Sequence, residues 1–248
     1  VLKNFIKFFK NVNSGQIIWN TLKIGVLNLL FTFPAAIIFA ILLNELRGKV
    51  FKSAVQTISY IPHFLSVVVI CSMLNGFGST SGLFNDIRNL LGMARVDMNN
   101  GSQYFLPLYL GSQVWQTVGW SSIMYLSALS NVDVTLYDVA NIDGANRWQR
   151  IVHITLPGLK TTIITLTLMS VGRIFYSDFG LFYQVPMNSG PLIDVTNTID
   201  TYVYRGLMEL NNIGMASAAG LYQSLVGFAL VLIANLIVRR LDENSALF

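Results

Sequence analysis

Charge is scarce in this chain. Asp, Glu, Lys and Arg make up 11% of its 248 residues, less than half the roughly 25% of a soluble domain, while 53% of the residues are hydrophobic. The deficit extends along the whole length, which argues for an integral membrane protein. Cysteine is nearly absent. Cys71 stands alone in an apolar run, so an intrachain disulfide is excluded and a small core residue is the natural reading. The two histidines, His63 and His153, have no Cys or carboxylate cluster beside them, which excludes a recognisable metal site. His63 borders an apolar run next to Pro62 and reads as an interfacial hydrogen-bonding residue. No G-x-x-x-x-G-K-[ST] loop is present: Gly48-Lys49 has Leu43 in the first glycine position and Val50 after it, so the chain has no visible means of binding ATP phosphates. The Gly-x-Ser-x-Gly elbow of hydrolases is missing as well, and neither a signal peptide nor a low-complexity linker is visible. The net charge of +4 comes from cations that flank apolar runs. Nucleic-acid binding would need them clustered on a polar surface, whereas this arrangement orients a membrane protein.

What the chain does have is five apolar runs near the roughly 20 residues needed to cross a bilayer. They cover about residues 24–44, 59–77, 104–130, 161–179 and 215–238. The first contains Pro34, which removes a helix hydrogen bond, and the second has Pro62 near its start. The third is rich in uncharged polar and aromatic groups, among them Gln113, Trp115, Gln116, Trp120, Ser121, Ser122 and Tyr125. The fifth carries Ala216, Gly220, Ser224 and Gly227 on one face, a spacing that lets helices approach closely. Ahead of these runs, Phe5, Phe8 and Phe9 alternate with Lys3, Lys7 and Lys10, which fits either a short amphipathic helix in the interface or a plain connector. Residues 1–19 are accordingly expected to form an extracellular interfacial segment ahead of a membrane domain at 20–248.

The loops between the runs differ in charge. One set holds Arg47, Lys49, Lys52, Arg147, Arg150, Lys160, Arg239 and Arg240; the other, longer in total, holds Lys3, Lys7, Lys10, Arg88, Arg95 and Arg205. This mild bias places the first set, and with it the C-terminus, in the cytoplasm. Five spans then leave the N-terminus outside. Because the chain opens on valine, a further span upstream is expected, for six in all. Within the spans the one deeply placed charge is Arg173. It is five residues from Asp178, about 140° around a helix, so the two do not share a face, and Arg173 is left to meet a neighbouring helix, another subunit or a substrate. Ion-coupled carriers place paired ionisable groups in mid-membrane, and their absence counts against a stand-alone secondary carrier.

The most patterned hydrophilic stretch is residues 133–157, DVTLYDVANIDGANRWQRIVHITLP. Asp133 stands at an N-cap position. Leu136, Val139 and Ala140 fall at i, i+3 and i+4 and give a short helix one apolar face. Gly144 permits a turn that a Cβ would resist. Trp148, Ile151, Val152 and Thr155 continue a second helical pattern, and Pro157 suits the first turn of a following helix. Helix, glycine turn, helix at a membrane face is the form of a docking element.

This stretch resembles the EAA loop of bacterial ABC importer permeases, roughly E-A-A-x-x-D-G-A followed by hydrophobic positions and I-x-L-P. The chain reads Asp138-Val139-Ala140-Asn141-Ile142-Asp143-Gly144-Ala145, then Trp148, Ile151, Ile154, Leu156 and Pro157; Asp138 replaces Glu and Val139 replaces Ala. Residues 42–66, Trp115 to Ser130 and the closing Arg239-Arg240-Leu241 are similar to the sugar-permease branch, in particular the subgroup that accompanies polysaccharide and complex-oligosaccharide uptake in Firmicutes. The resemblance implies an all-α type I ABC importer transmembrane domain with the coupling loop at 131–160. It implies a second homologous permease, two ATPase subunits that bind ATP and Mg in place of this chain, an extracellular solute-binding protein and a carbohydrate cargo, a complex oligosaccharide, all working at the cell membrane. The resemblance assigns Tyr137, Asp138, Ala140, Asp143, Gly144, Ala145 and Arg147 to ATPase docking, with Leu136 and Val139 buried in the ATPase groove or against the second helix. Trp115, Gln116, Trp120, Ser121, Tyr125, Arg173 and Tyr176 are candidates for the sugar pathway, since aromatic rings stack on sugar C–H faces and uncharged polar groups bond hydroxyls. An arginine could also pair with a uronate carboxylate. A permease of the same machinery for a non-sugar solute is the alternative.

Overall fold

The computed structural model describes residues 2–46, 48–186 and 189–241; Arg47, counted above among the cytoplasmic cations, lies outside the described residues. In chain order the helices are α1 (Leu2–Lys10), α2 (Ser14–Asn44), α3 (Lys49–Tyr60), α4 (Val67–Gly78), α5 (Leu83–Leu90), α6 (Ser102–Leu129), α7 (Val134–Ile142), α8 (Arg147–Arg150), α9 (Leu156–Gly172), α10 (Phe179–Gln184), α11 (Gly190–Thr196), α12 (Ile199–Met208) and α13 (Ile213–Leu241). A 3₁₀ turn, Ile61–Phe64, follows α3, and a π-helical turn, Ile151–Thr155, joins α8 to α9. No strand occurs among the described residues.

Four segments are long and apolar enough to cross a membrane: Ser14–Asn44, Val67–Leu90, Arg147–Gly172 and Ile213–Arg240. The helix α6, 28 residues long, has spanning length but more polar side chains. Val67–Leu90 is interrupted at residues 79–82, so it is two short helices and not one rod.

Three sequence expectations change. The first span does not begin near residue 24: α2 starts at Ser14 and takes in Trp19, so no separate segment ends at residue 19. The helix α1 forms as expected and keeps Lys3, Lys7 and Lys10 exposed, but Phe8 is fully buried against Ile17, Phe175, Ile199 and Ala219. That anchor ties α1 to its own chain. The second run is not a continuous crossing either. Residues 49–78 form two 12-residue helices separated by the 3₁₀ turn. Pro62 supplies no N–H to continue the helix ladder, although Ile61 before it keeps α dihedrals, φ −52 and ψ −45. Ser66 then recaps the chain, its Oγ accepting from the Val69 N–H at 3.4 Å. The polar positions Lys49, Lys52, Ser53 and Gln56 hid α3 from a hydropathy reading. Third, α9 ends at Gly172, so Arg173 lies just beyond a helix end, exposed, and not deep within a span.

The chain divides into two compact units. The first comprises Val1–Leu29, Leu65–Ser112 and Gly172–Leu230. One of its cores gathers Ile24, Ile70, Cys71, Phe105, Tyr109, Leu181, Phe182 and Leu192, and the other surrounds Phe8. The buried Cys71 is therefore the core residue its setting implied. A polar knot fixes the loop after α9: Asp200 accepts from the Ser177 N–H and Oγ, both at 2.7 Å, and from Gln223 Nε2 at 3.0 Å, while Gln223 also donates to the Phe175 carbonyl at 2.7 Å. The small-residue stripe of α13 packs within this unit at Ala216, against Gly206, and at Gly227, against the Gly172 carbonyl; Ser224 of the same stripe is exposed.

The second unit comprises Leu30–Phe64, Gln113–Val171 and Val231–Phe248. Its core joins Ala36, Ala40, Tyr125, Leu129 and Leu159. At its centre Tyr125 is 1% exposed and meets Phe33 edge-on with centroids 6.0 Å apart.

Candidate coupling and transport site

The patterned stretch lies wholly in the second unit. Asp133 caps α7, its carboxylate accepting from the Thr135 N–H at 2.9 Å. That backbone hydrogen bond, with a further one from the Thr135 side chain, holds the Asp133 carboxyl below its ordinary pKa. The helix ends in a paired C-cap: Ala145 N–H reaches the Ala140 carbonyl at 2.9 Å and Gly144 N–H the Asn141 carbonyl at 3.2 Å. This Schellman pattern needs a left-handed residue at its turn, and Gly144 supplies it with φ +75. Asn146 then opens α8 with a capping box, its Oδ1 accepting from the Gln149 N–H at 2.9 Å while Gln149 Oε1 accepts from the Asn146 N–H at 2.7 Å.

Pro157 falls in the first turn of α9, as expected, but the backbone leading into it is already helical from Arg147. The π turn just before it absorbs the insertion, with Leu156 N–H bonding back to the Ile151 carbonyl. A widened turn is a known way to seat a proline whose ring would otherwise strike the preceding turn. Two side-chain bonds brace the two arms. Tyr137 Oη and Thr155 Oγ1 lie 3.0 Å apart, and Arg150 donates to Asn141 Oδ1.

The residues assigned to docking divide between two grooves. Ala140, Asp143, Gly144 and Ala145 line one with Gln149, Arg150 and His153. Tyr137 and Arg147 line the other with Asn44, Glu45, Leu129 and Val134. Asp138 is exposed. Leu136, 51% exposed, and Val139, 56% exposed, present apolar surface to the outside, as do Ile142, 86% exposed, and Trp148, 72% exposed. A bare apolar surface on a tightly capped turn is the signature of an interaction site.

Within the second unit the proposed pathway residues do not share one face. Trp115 and Trp120 are both exposed on α6, but five residues apart they point about 140° from each other. Gln116 and Ser121 are half-buried. Tyr125 is a core residue, and its burial within the chain removes it from a pathway role. Arg173 and Tyr176 belong to the first unit; Tyr176 Oη lies 3.3 Å from Ser224 Oγ. Sequence reasoning missed His63 and Phe64 as partners of Trp120. It also missed the capping box at Asn146, although Asn-x-x-Gln is a readable signal.

Residues 32–243 match the family described as binding-protein-dependent transport system inner membrane component. The chain belongs to this family. It is a multi-pass membrane transport subunit. The chain is 34% identical to the polygalacturonan/rhamnogalacturonan transport system permease protein YteP of Bacillus subtilis (strain 168), over 98% of this chain and 76% of that protein. Identity to the arabinooligosaccharides transport system permease protein AraP of the same organism is 32%, over 92% and 71%. The chain also superimposes with a TM-score of 0.92 on a crystal structure of a bacterial ABC transporter involved in the import of the acidic polysaccharide alginate, at 34% identity over 97% of this chain and 84% of that one. A second structure of a bacterial alginate ABC transporter, in complex with an alginate pentasaccharide-bound periplasmic protein, gives 0.91 at 35% identity. The type I importer transmembrane fold expected from the resemblance is thus the fold observed.

Proposed function

We propose that this permease carries an oligosaccharide across the cell membrane, receiving it from an extracellular binding protein and moving it by alternating access with a second, homologous permease. The similarity to permeases named for polygalacturonan, rhamnogalacturonan and arabinooligosaccharides, and to the alginate importer, supports a carbohydrate cargo. Two of those cargoes are polyuronates, which favours an acidic oligosaccharide. Arg173, exposed and engaged in no side-chain hydrogen bond or ion pair among the described residues, is suited to its carboxylates; Trp115, Gln116, Trp120, Ser121 and Tyr176 are further pathway candidates.

The observation that carries the coupling role is the outward apolar face of α7 and α8 on a turn closed by a Schellman pattern and a capping box. Leu136, Val139, Ile142 and Trp148 enter a cleft on a separate ATPase, which binds ATP and Mg, with Tyr137, Asp138, Ala140, Asp143, Gly144, Ala145 and Arg147 around them. This face and the C-terminus are cytoplasmic, and residues 131–160 act as the coupling loop. Closure of the ATPase dimer moves the rigid turn and shifts the population from inward- to outward-facing, driven by the differential affinity of ATP for the two states. The test is Asp138→Lys in the assembled transporter. ATP hydrolysis and uptake are expected to uncouple while the spans stay folded; wild-type uptake in the variant would overturn the docking role.

A further inference from the structure

The chain is interrupted in the middle of residues 49–78, and the interruption carries aromatic groups. The helices on either side are 12 residues each, and between them lie a 3₁₀ turn, Ile61–Phe64, and a two-residue link to the apolar segment that begins at Val67. His63 is in this turn.

The turn is built onto α6. Gly119 is buried, and a Cβ there would lie 2.1 Å from the Ser59 carbonyl oxygen, so the backbones of α3 and α6 touch at that point. This contact sets the imidazole of His63 flat on the indole of Trp120, with centroids 4.6 Å apart and planes 5° from parallel. Phe64 meets the same indole edge-on at 5.5 Å. His63 thus braces Trp120, yet Trp120 remains 44% and Phe64 71% exposed. Among the described residues no hydrogen bond engages the His63 ring nitrogens. Two fixed aromatic surfaces beside unused polar nitrogens are what a pyranose ring requires: apolar C–H faces to stack and hydroxyls to bond.

We propose that Phe64 and Trp120, held by His63, form a platform on which the rings of the transported oligosaccharide stack as it crosses. This rests on the carbohydrate reading above. The complete transporter in proteoliposomes, supplied with labelled oligogalacturonides, alginate oligosaccharides and arabino-oligosaccharides of about three to five rings, tests both. In Trp120→Leu, and separately in Phe64→Ala, sugar imported per ATP hydrolysed falls tenfold or more for the sugar that the wild type carries. Trp120→Phe, which keeps a ring for stacking, restores at least half of it, a rescue that a merely structural role would not give. A wild-type ratio in both the Trp120→Leu and Phe64→Ala complexes overturns the platform. So does loss of the companion permease from these complexes, which makes the aromatics a subunit contact. Uptake of none of these sugars by the wild-type transporter overturns the carbohydrate reading itself, and the platform with it.

Discussion

Single residues set the rigidity on which the coupling turn depends. Asp133 accepts the Thr135 N–H more strongly as a carboxylate than as a neutral acid, and its pKa is lowered in the folded chain. A group whose folded pKa is depressed stabilises above its unfolded pKa, and the effect is lost as pH falls through the folded value. The start of α7 is therefore expected to fray on acidification below the usual carboxylate range. Hydrogen exchange of Thr135 and Leu136 amides as a function of pH measures this, and Asp133→Asn, which keeps a capping oxygen, should flatten the dependence. Gly144 is the second such residue. At φ +75 an L side chain costs roughly 1–2 kcal/mol, so Gly144→Ala should loosen the Schellman turn. Faster amide exchange at Gly144's neighbour Ala145 is the readout, and no change there would show that the turn tolerates a Cβ. Both residues were legible in the sequence because caps and left-handed turns are local: a carboxylate or a missing Cβ at one position decides them.

Elements were less legible, for reasons that differ. The helix α7 showed in its spacing, but the ends of the spans did not. A hydropathy reading follows apolar content, and helices continue through polar residues whose backbone bonds are satisfied, as α2 does at Gln16 and α3 does at Lys52. Conversely the apolar residues after Gly172 extended the expected span past its real end, which gave Arg173 a depth it does not have. What ends α9 is a long-range knot that no local pattern reveals: Asp200 and Gln223 hold residues 175–177 from helices α12 and α13. The knot predicts that Asp200→Ala, which strands the Ser177 N–H and Gln223, destabilises the first unit by about 2–3 kcal/mol, the scale of hydrogen bonds to a charged group. Thermal unfolding in detergent checks it. Asp200→Asn, which retains an acceptor, should recover part of the loss.

For the whole molecule, the question is which exposed surfaces another protein covers. The sequence assigned Leu136 and Val139 to a contact but could not decide whether the second helix of the same turn provided it; in the fold about half of each side chain stays uncovered, which leaves room for a partner. Tyr125 and Trp120 looked alike in sequence, both aromatic on α6, and only packing separates the core residue from the exposed one. On the reading proposed above, Ile142 and Trp148 are the most solvent-exposed apolar groups of the coupling surface and the natural anchors in the ATPase cleft, where buried aromatics and their apolar neighbours dominate binding energy. Ile142 makes so little contact with its own chain that Ile142→Glu should change its stability by no more than about 0.5 kcal/mol, as for other surface substitutions. Placing a carboxylate in an apolar cleft without a partner, however, costs several kcal/mol. The expected outcome is a variant that inserts and unfolds like the wild type but no longer co-purifies with the ATPase subunits. If Ile142→Glu retains them and transports normally, the apolar tip of α7 lies outside the contact, and docking must run through the groove lined by Tyr137 and Arg147.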